Sequence, residues 1–142
     1  MKSLGLKRGT VRLAPYNPKW PALYEREKKL ILKAIGNKIE GIAHSGSTSI
    51  PGISAKPIID ILMGVSSLVK AKGLIEPLGQ IGYELVHDGT TKNRFFFTKG
   101  PDEKRTHYIS VVDINSTEWS GNIAFCNYLR RHKAAARQYV QL

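Results

Sequence analysis

Asp60 stands in an apolar run, Ile58-Ile59-Asp60-Ile61-Leu62-Met63, with aliphatic residues on both sides. A carboxylate in a buried strand is costly unless it is paired, hydrogen-bonded or bound to a metal. A short way upstream lies Ser45-Gly46-Ser47-Thr48-Ser49, a loop dense in hydroxyls. Gly46 lets backbone approach a ligand closely, and hydroxyls together with successive N–H groups hold phosphate oxygens. The pairing suggests a phosphate cradle beside a metal-binding carboxylate. The same residues admit a structural reading: Asp60 paired with Lys56 or Arg94, and loop hydroxyls satisfying their own backbone. Lys56, Arg94, Lys99 and Arg105 are candidates to line a cleft and bind phosphates, arginine being suited to bidentate contacts. His107, between Arg105 and Ile109 on one strand face, can contact a ligand or shuttle a proton, or serve as a satisfied structural histidine.

These residues need elements to position them. Ile39–His44 reads as a strand, the hydroxyl loop follows, Pro51-Gly52 marks a turn, and Pro57–Met63 reads as a buried central strand. Upstream, Asn17 with Pro18 at the first helical position opens a helix that Gly36-Asn37 closes. Its inner face is Trp20, Leu23, Leu30, Ile31, Ala34 and Ile35. Ser66 caps an expected helix with Leu68, Val69, Ala71, Leu74, Ile75 and Leu78 inside, ended or kinked by Pro77. Tyr83–Val86 is a short strand, and Arg94–Lys99 with Arg105–Asp113 form a hairpin pair. Asn115-Ser116-Thr117-Glu118 has capping-box spacing before a helix to about Arg131, and Ala134–Leu142 is helical again. Met1–Thr10 reads as a flexible basic arm, and Val11–Ala14 as a short strand. The 142 residues suit one domain, of α/β or α+β class with a mixed sheet.

The block HSGSTSIPGISAKPIIDI resembles the signature of the GrpB family (UPF0157), a group placed in the nucleotidyltransferase-like superfamily. The resemblance extends to RFFFTKG, to RTHYISVVD, and to the stretch from Ser116 through NYLRRHKAAARQYVQL. It implies a nucleotidyltransferase-like fold, a small mixed β-sheet flanked by helices, with the hydroxyl loop and Asp60 at one edge of a cleft. Nucleotidyl transfer in that superfamily uses two Mg²⁺ ions held by carboxylates. Two acids at i and i+2 share a strand face, but here the second slot is Leu62, which cannot ligate a hard cation. Asp113, at the end of the third expected strand, can supply one more oxygen, or can be a plain strand end before a helix cap. Asp60 and Asp113 are therefore the expected catalytic and metal-binding carboxylates, and fit one Mg²⁺ better than two. The expected phosphate-binding set is His44, Gly46, Ser47, Thr48, Ser49, Lys56, Arg94, Arg105 and His107, with His44 orienting the loop. The implied function is binding of a nucleotide or other phosphorylated ligand, with metal-dependent nucleotidyl transfer to an unknown acceptor. The alternative is a non-catalytic domain for nucleotide or coenzyme A-type ligands, or an accessory folding helper. Domains resembling this one are joined to dephospho-coenzyme A kinase in some proteins.

Composition narrows the field. There are 22 Lys and Arg against 11 Asp and Glu, a formal charge of +11, which favours an anionic partner or a basic surface. Phe95-Phe96-Phe97 among basic residues invites an RNA-stacking reading, but strand alternation must bury at least one face. Cys126 is the single cysteine, so there is no internal disulfide, and His44, His87 and His107 lack zinc-site spacing. There is no Walker A or Rossmann fingerprint. Met1–Thr10 has no apolar h-region and no run is long enough to cross a bilayer, so the cytoplasm is the expected location.

Overall fold

The computed structural model describes residues 4–7 and 12–140. Five strands form one mixed sheet: β1 Gly41–Ser45, β2 Ile59–Val65, β3 Tyr83–Leu85, β4 Phe95–Lys99 and β5 His107–Asp113. Their order is β1-β2-β5-β4-β3, with β2 parallel to β5 and every other pair antiparallel. The helices are α1 Trp20–Ile35, α2 Ile75–Gln80, α3 Thr117–Arg131 and α4 Lys133–Val140.

Strand alternation divides the sheet into two unlike faces. On one face Ile59, Ile61, Met63, Val65, Phe97, Ile109 and Val111 are all excluded from solvent. They pack against Trp20, Tyr24, Ile31 and Ile35 of α1, and against Ala71, Leu74 and Leu78. This is the core. The other face carries Ser45, Asp60, Leu62, Tyr108, Ser110 and Phe96, which register places side by side. Only part of that face is covered. Gly41 and Gly64 sit opposite each other on β1 and β2. A Cβ on Gly64 would lie 2.4 Å from Ile114 Cδ1, and one on Gly41 2.8 Å from Trp119 Cη2. The two glycines thus form the flat seat on which the start of α3 docks. Ser116 caps α3, its Oγ accepting from Trp119 N at 3.2 Å. Farther along, Cys126 and Leu129 of α3 join Ile50, Ile53 and Ala136 in a second, smaller cluster.

Several expectations are corrected. The basic arm is not uniformly free: Gly5 N donates to Pro57 O, and Leu6 exchanges both backbone bonds with Arg105. Residues 1–3 and 8–11 lie outside the described residues, while Ala14 forms a bridge with Ala55. Helix α1 begins two residues after Pro18, and Asn17 Oδ1 accepts instead from Lys19 N. The helix expected after Ser66 is a 3₁₀ stretch, Leu68–Leu74, followed by the short α2. A repeat near three residues per turn aligns Leu68, Ala71 and Leu74 inward. Val69 and Ile75 consequently turn outward, Val69 to 64% exposure.

The core contains a polar network centred on Glu27. Glu27 of α1 is buried, and its Oε2 accepts from Tyr83 Oη at 2.7 Å and from Lys99 Nζ at 2.7 Å. His107 Nε2 lies 3.7 Å from Glu27 Oε1. Burial pulls the Glu27 carboxyl upward, but the Lys99 and Tyr83 hydrogen bonds and the nearby His107 and Lys99 charges hold it below the ordinary value. A carboxylate depressed in the folded chain contributes stability that is full above its unfolded value and fades as pH falls through the folded one. Denaturant unfolding of the parent should therefore lose stability on acidification below about pH 4.3, and Glu27→Gln should flatten that acid limb. Glu27→Ala, which strands Lys99 and the Tyr83 hydroxyl, should cost about 3 kcal/mol near neutrality.

Candidate functional site

The crevice forms where the uncovered part of the sheet meets α3 and α4. Its floor is Ser45, Asp60, Leu62 and Ser110, with Gly46 and Arg94 at the edges, and Phe125, Leu129 and Tyr139 form the apolar wall. The cavity holds about 220 Å³. A smaller one of about 150 Å³ adjoins it beyond Tyr139, lined by Ser47, Ser54, Lys56 and again Asp60.

Asp60 and Gly46 are in direct contact. Gly46 takes φ +67°, ψ −174°, backbone open essentially to glycine alone. A Cβ there would stand 2.3 Å from Asp60 Oδ2. The loop backbone thus lies against the carboxylate, and the missing side chain is what permits it. Asp60 retains partial access through the crevice, yet desolvation pushes its carboxyl up to about 7, against the downward pull of Lys56 and then Arg94. Neither cation closes a salt bridge with it among the described residues. Arg94 is instead held by its Nε donating to Gly89 O at 2.9 Å and Nη1 to Ser110 Oγ at 3.1 Å. Its guanidinium also lies 4.4 Å from the Phe96 ring centroid.

The hydroxyl loop divides its labour. Ser49 Oγ donates to Gly46 O at 2.6 Å and Thr48 Oγ1 to Ile58 O at 3.2 Å, so both buried hydroxyls brace the loop itself. Ser47 faces Tyr139, Oγ to Oη 3.5 Å. His44 points to the core side, its ring stacked on Tyr24 with centroids 4.8 Å apart and Nε2 3.0 Å from Thr48 Oγ1. Burial, helped by the Arg130 charge, lowers His44 to about 4, so the ring is neutral near pH 7. It orients the loop from behind. Arg130 of α3 clamps the loop's ends: Nη2 donates to His44 O at 3.2 Å and Nε to Ser49 O at 3.1 Å.

The structure brings Gly46, Ser47, Lys56, Asp60 and Arg94 to the crevice or its smaller neighbour. His44, Thr48 and Ser49, also expected to bind phosphate, line neither cavity and instead support the loop, and Asp113, His107, Lys99 and Arg105 lie elsewhere. Asp113 pairs with Val65 while Asp60 pairs with Tyr108, five register steps apart and on opposite faces. At roughly 3.3 Å per residue that is about 16 Å, too far to share a metal. Asp113 Oδ1 caps the following turn, accepting from Asn115 N at 2.8 Å. His107 and Lys99 face the core and meet Glu27. Arg105 is buried in the β4–β5 turn, bonded to Thr98, to Gly100 O and to Asp102. Phe97 is fully buried, which removes it from any stacking surface. Among the described residues no three His, Cys, Asp or Glu side chains group as a metal site. The donor set therefore offers Mg²⁺ one carboxylate, and a bound ion would need oxygens from the ligand itself.

Sequence reasoning missed Ser110, Tyr139 and Arg130. Ser110 was accessible from the alternation of β5, which puts it on the Asp60 face. Tyr139 and Arg130 carried no local signal, since their roles arise from the docking of α3 and α4.

Comparisons with known proteins show the family and the fold. A family model described as GrpB protein matches residues 10–142. The chain belongs to the GrpB family. It is 34% identical to the glutamate-rich protein GrpB of Alkalihalophilus pseudofirmus, covering 98% of this chain and 82% of that protein. It is also 34% identical to UPF0157 protein YqkA of Bacillus subtilis, covering 93% of this chain but 38% of that protein. The crystal structure of GrpB from Enterococcus faecalis superposes with a TM-score of 0.82 at 32% identity, covering 92% of this chain and 79% of that one. A shorter match, 41% identical over 81 residues, is to dephospho-CoA kinase of Mycolicibacterium paratuberculosis, covering 55% of this chain and 20% of that protein. No helix among the described residues is long and apolar enough to cross a membrane.

Two substitutions separate the costs of this site. Asp60 has a folded value raised far above that of an unfolded chain, so its effect on stability worsens as pH rises toward 7. Asp60→Asn should accordingly unfold at a higher temperature than the parent at pH 8, with the gap closing by pH 4. Gly46→Ala should lose about 1–3 kcal/mol from backbone strain, with a further loss from collision with the carboxylate.

Proposed function

We propose that the crevice binds a small phosphorylated ligand of nucleotide or coenzyme A type. The observation that carries this reading is the contact of Asp60 with Gly46 beside an arginine that is positioned but, among the described residues, not neutralised by an acid. A stable fold gains nothing from an acid left without a salt bridge on the floor of a cavity, whereas a site gains an acid poised to titrate or to hold a cation. Arg94 and Lys56 supply positive charge from two sides, and Ser47 and the Gly46 backbone supply hydrogen-bond donors. Phosphate oxygens would satisfy these groups, and Asp60 would be the residue to hold an ion such as Mg²⁺, which would neutralise phosphate charge, since Mg²⁺ is commonly held by one or two carboxylates with substrate oxygens completing its shell. The apolar wall of Phe125, Leu129 and Tyr139 suits the organic part of such a ligand. The match to a segment of dephospho-CoA kinase supports the coenzyme A-type ligand, and the arrangement is consistent with a nucleotidyltransferase-like fold.

Nucleotidyl transfer is the second reading, favoured by the poise of Asp60 near neutral pH. A group with that value can accept a proton from an attacking hydroxyl at physiological pH. The Leu62 position and the distance of Asp113 weigh toward binding without turnover. The role of an accessory domain that helps another protein fold is compatible with binding alone.

Calorimetric titration of the protein with ATP, with coenzyme A and with dephospho-coenzyme A, each with and without Mg²⁺, checks the reading. At least one should bind, and Arg94→Ala should weaken that ligand at least about tenfold, the scale expected for a lost charge-assisted hydrogen bond. Asp60→Asn should abolish the Mg²⁺ contribution while sparing metal-free binding. Affinity indifferent to both substitutions would refute the assignment. Label from [α-³²P]ATP appearing on an acceptor, and lost in Asp60→Asn, would promote the second reading over the first.

A further inference from the structure

Away from Asp60, a separate cavity of about 270 Å³ lies between the Pro51-Gly52 turn and α4, sharing only Leu129 with the crevice. Its floor is apolar, formed by Ile53, Leu129 and Ala136. Its rim is Arg130, Lys133 and Arg137, all exposed, and among the described residues no carboxylate lines it.

Two of these charges, Lys133 and Arg137, converge where the fold gives them no reason to. Lys133 and Arg137 are one helical turn apart on α4, and like charges at that spacing repel. Lys133 is also the first residue of its helix, the end where a cation is disfavoured by the helix dipole. Neither residue is in a salt bridge among the described residues. Arg130 is not free to swing away: its three guanidinium nitrogens donate to Ser49 O, to His44 O and to Asn127 Oδ1. That pins a cation at the rim. Gly52 opposite has open space where a side chain would project. A compact anion with several oxygens relieves the repulsion and fits a walled groove, whereas a solvated surface patch has no need of the walls.

We infer that this groove is a second anion site, distinct from the crevice, that takes a diphosphate group. The inference does not rest on the crevice reading, because none of its charged residues lines that cavity. Two sources share the chemistry: free pyrophosphate and the diphosphate of an organic ester.

The test is amide NMR titration of the full chain, without metal and at constant ionic strength, with inorganic pyrophosphate in one arm and ADP in the other. Gly52, Ile53 and Ala136 should shift and saturate with at least one probe. The Lys133→Ala/Arg137→Ala double variant should weaken that response at least tenfold while leaving any response of Gly46 unchanged. Saturation by pyrophosphate assigns the free anion, and saturation by ADP alone assigns the organic ester. Because both substituted residues are exposed, the double variant should melt no lower than the parent, and the probe should raise the melting temperature of the parent more than that of the variant. Shifts that never saturate with either probe, or that persist undiminished in the double variant, overturn the inference.

Discussion

The contact between the Asp60 carboxylate and the Gly46 backbone is the constraint around which the rest is arranged. A side chain at Gly46 would occupy the space of Oδ2, so the loop must pass through a backbone conformation that other residues resist. Holding the loop there takes several independent devices. Thr48 and Ser49 turn their hydroxyls inward to carbonyls, His44 buttresses Thr48 from the core side, and Arg130 grips both ends from α3. Asp60, the ionisable member of this apparatus that faces the crevice, has no salt bridge among the described residues.

The two sheet faces explain how such an acid is tolerated. One face is filled by aliphatic and aromatic side chains packed on α1 and the 3₁₀ stretch, and its own acid, Glu27, is matched by Lys99, Tyr83 and His107. There, charge is compensated and serves the fold. On the other face α3 docks at the paired glycines Gly41 and Gly64 and then leaves the rest of β2 and β5 to the crevice. Stability is thus supplied chiefly from one side, and the opposite side is free to carry a costly arrangement. A basic surface adds long-range attraction for anions, which is the charge sign that the crevice and the α4 groove both favour.

Much of this was legible in the sequence because it is written in local pattern. The apolar run around Asp60 could only be an interior strand, and an acid inside it demanded an explanation. The alternation of β4 and β5 fixed the hairpin, and the Gly46 loop announced close backbone approach. The misreadings share one physical origin: tertiary context decided what local pattern left open. Asp113 lies on a strand next to that of Asp60, but register puts it at the far end and on the other face, and neither is visible without pairing. Arg105 and His107 look like cleft cations in a list of charges, yet each is consumed by partners distant in sequence or closing a turn. Val69 and Ile75 were placed inward by a 3.6-residue period that the 3₁₀ stretch does not obey. The clamps Arg130 and Tyr139 come from helices docked late in the chain, so no spacing within the loop block foretold them.

The most direct measurement is a ¹³C NMR titration of the Asp60 side-chain carboxyl between pH 3 and pH 9. The account predicts a midpoint near 7, moving downward when a phosphorylated ligand with Mg²⁺ occupies the crevice. A midpoint at or below about 4, the value of an ordinary aspartate, would show that the charge is already compensated and would contradict the claim on which the site rests.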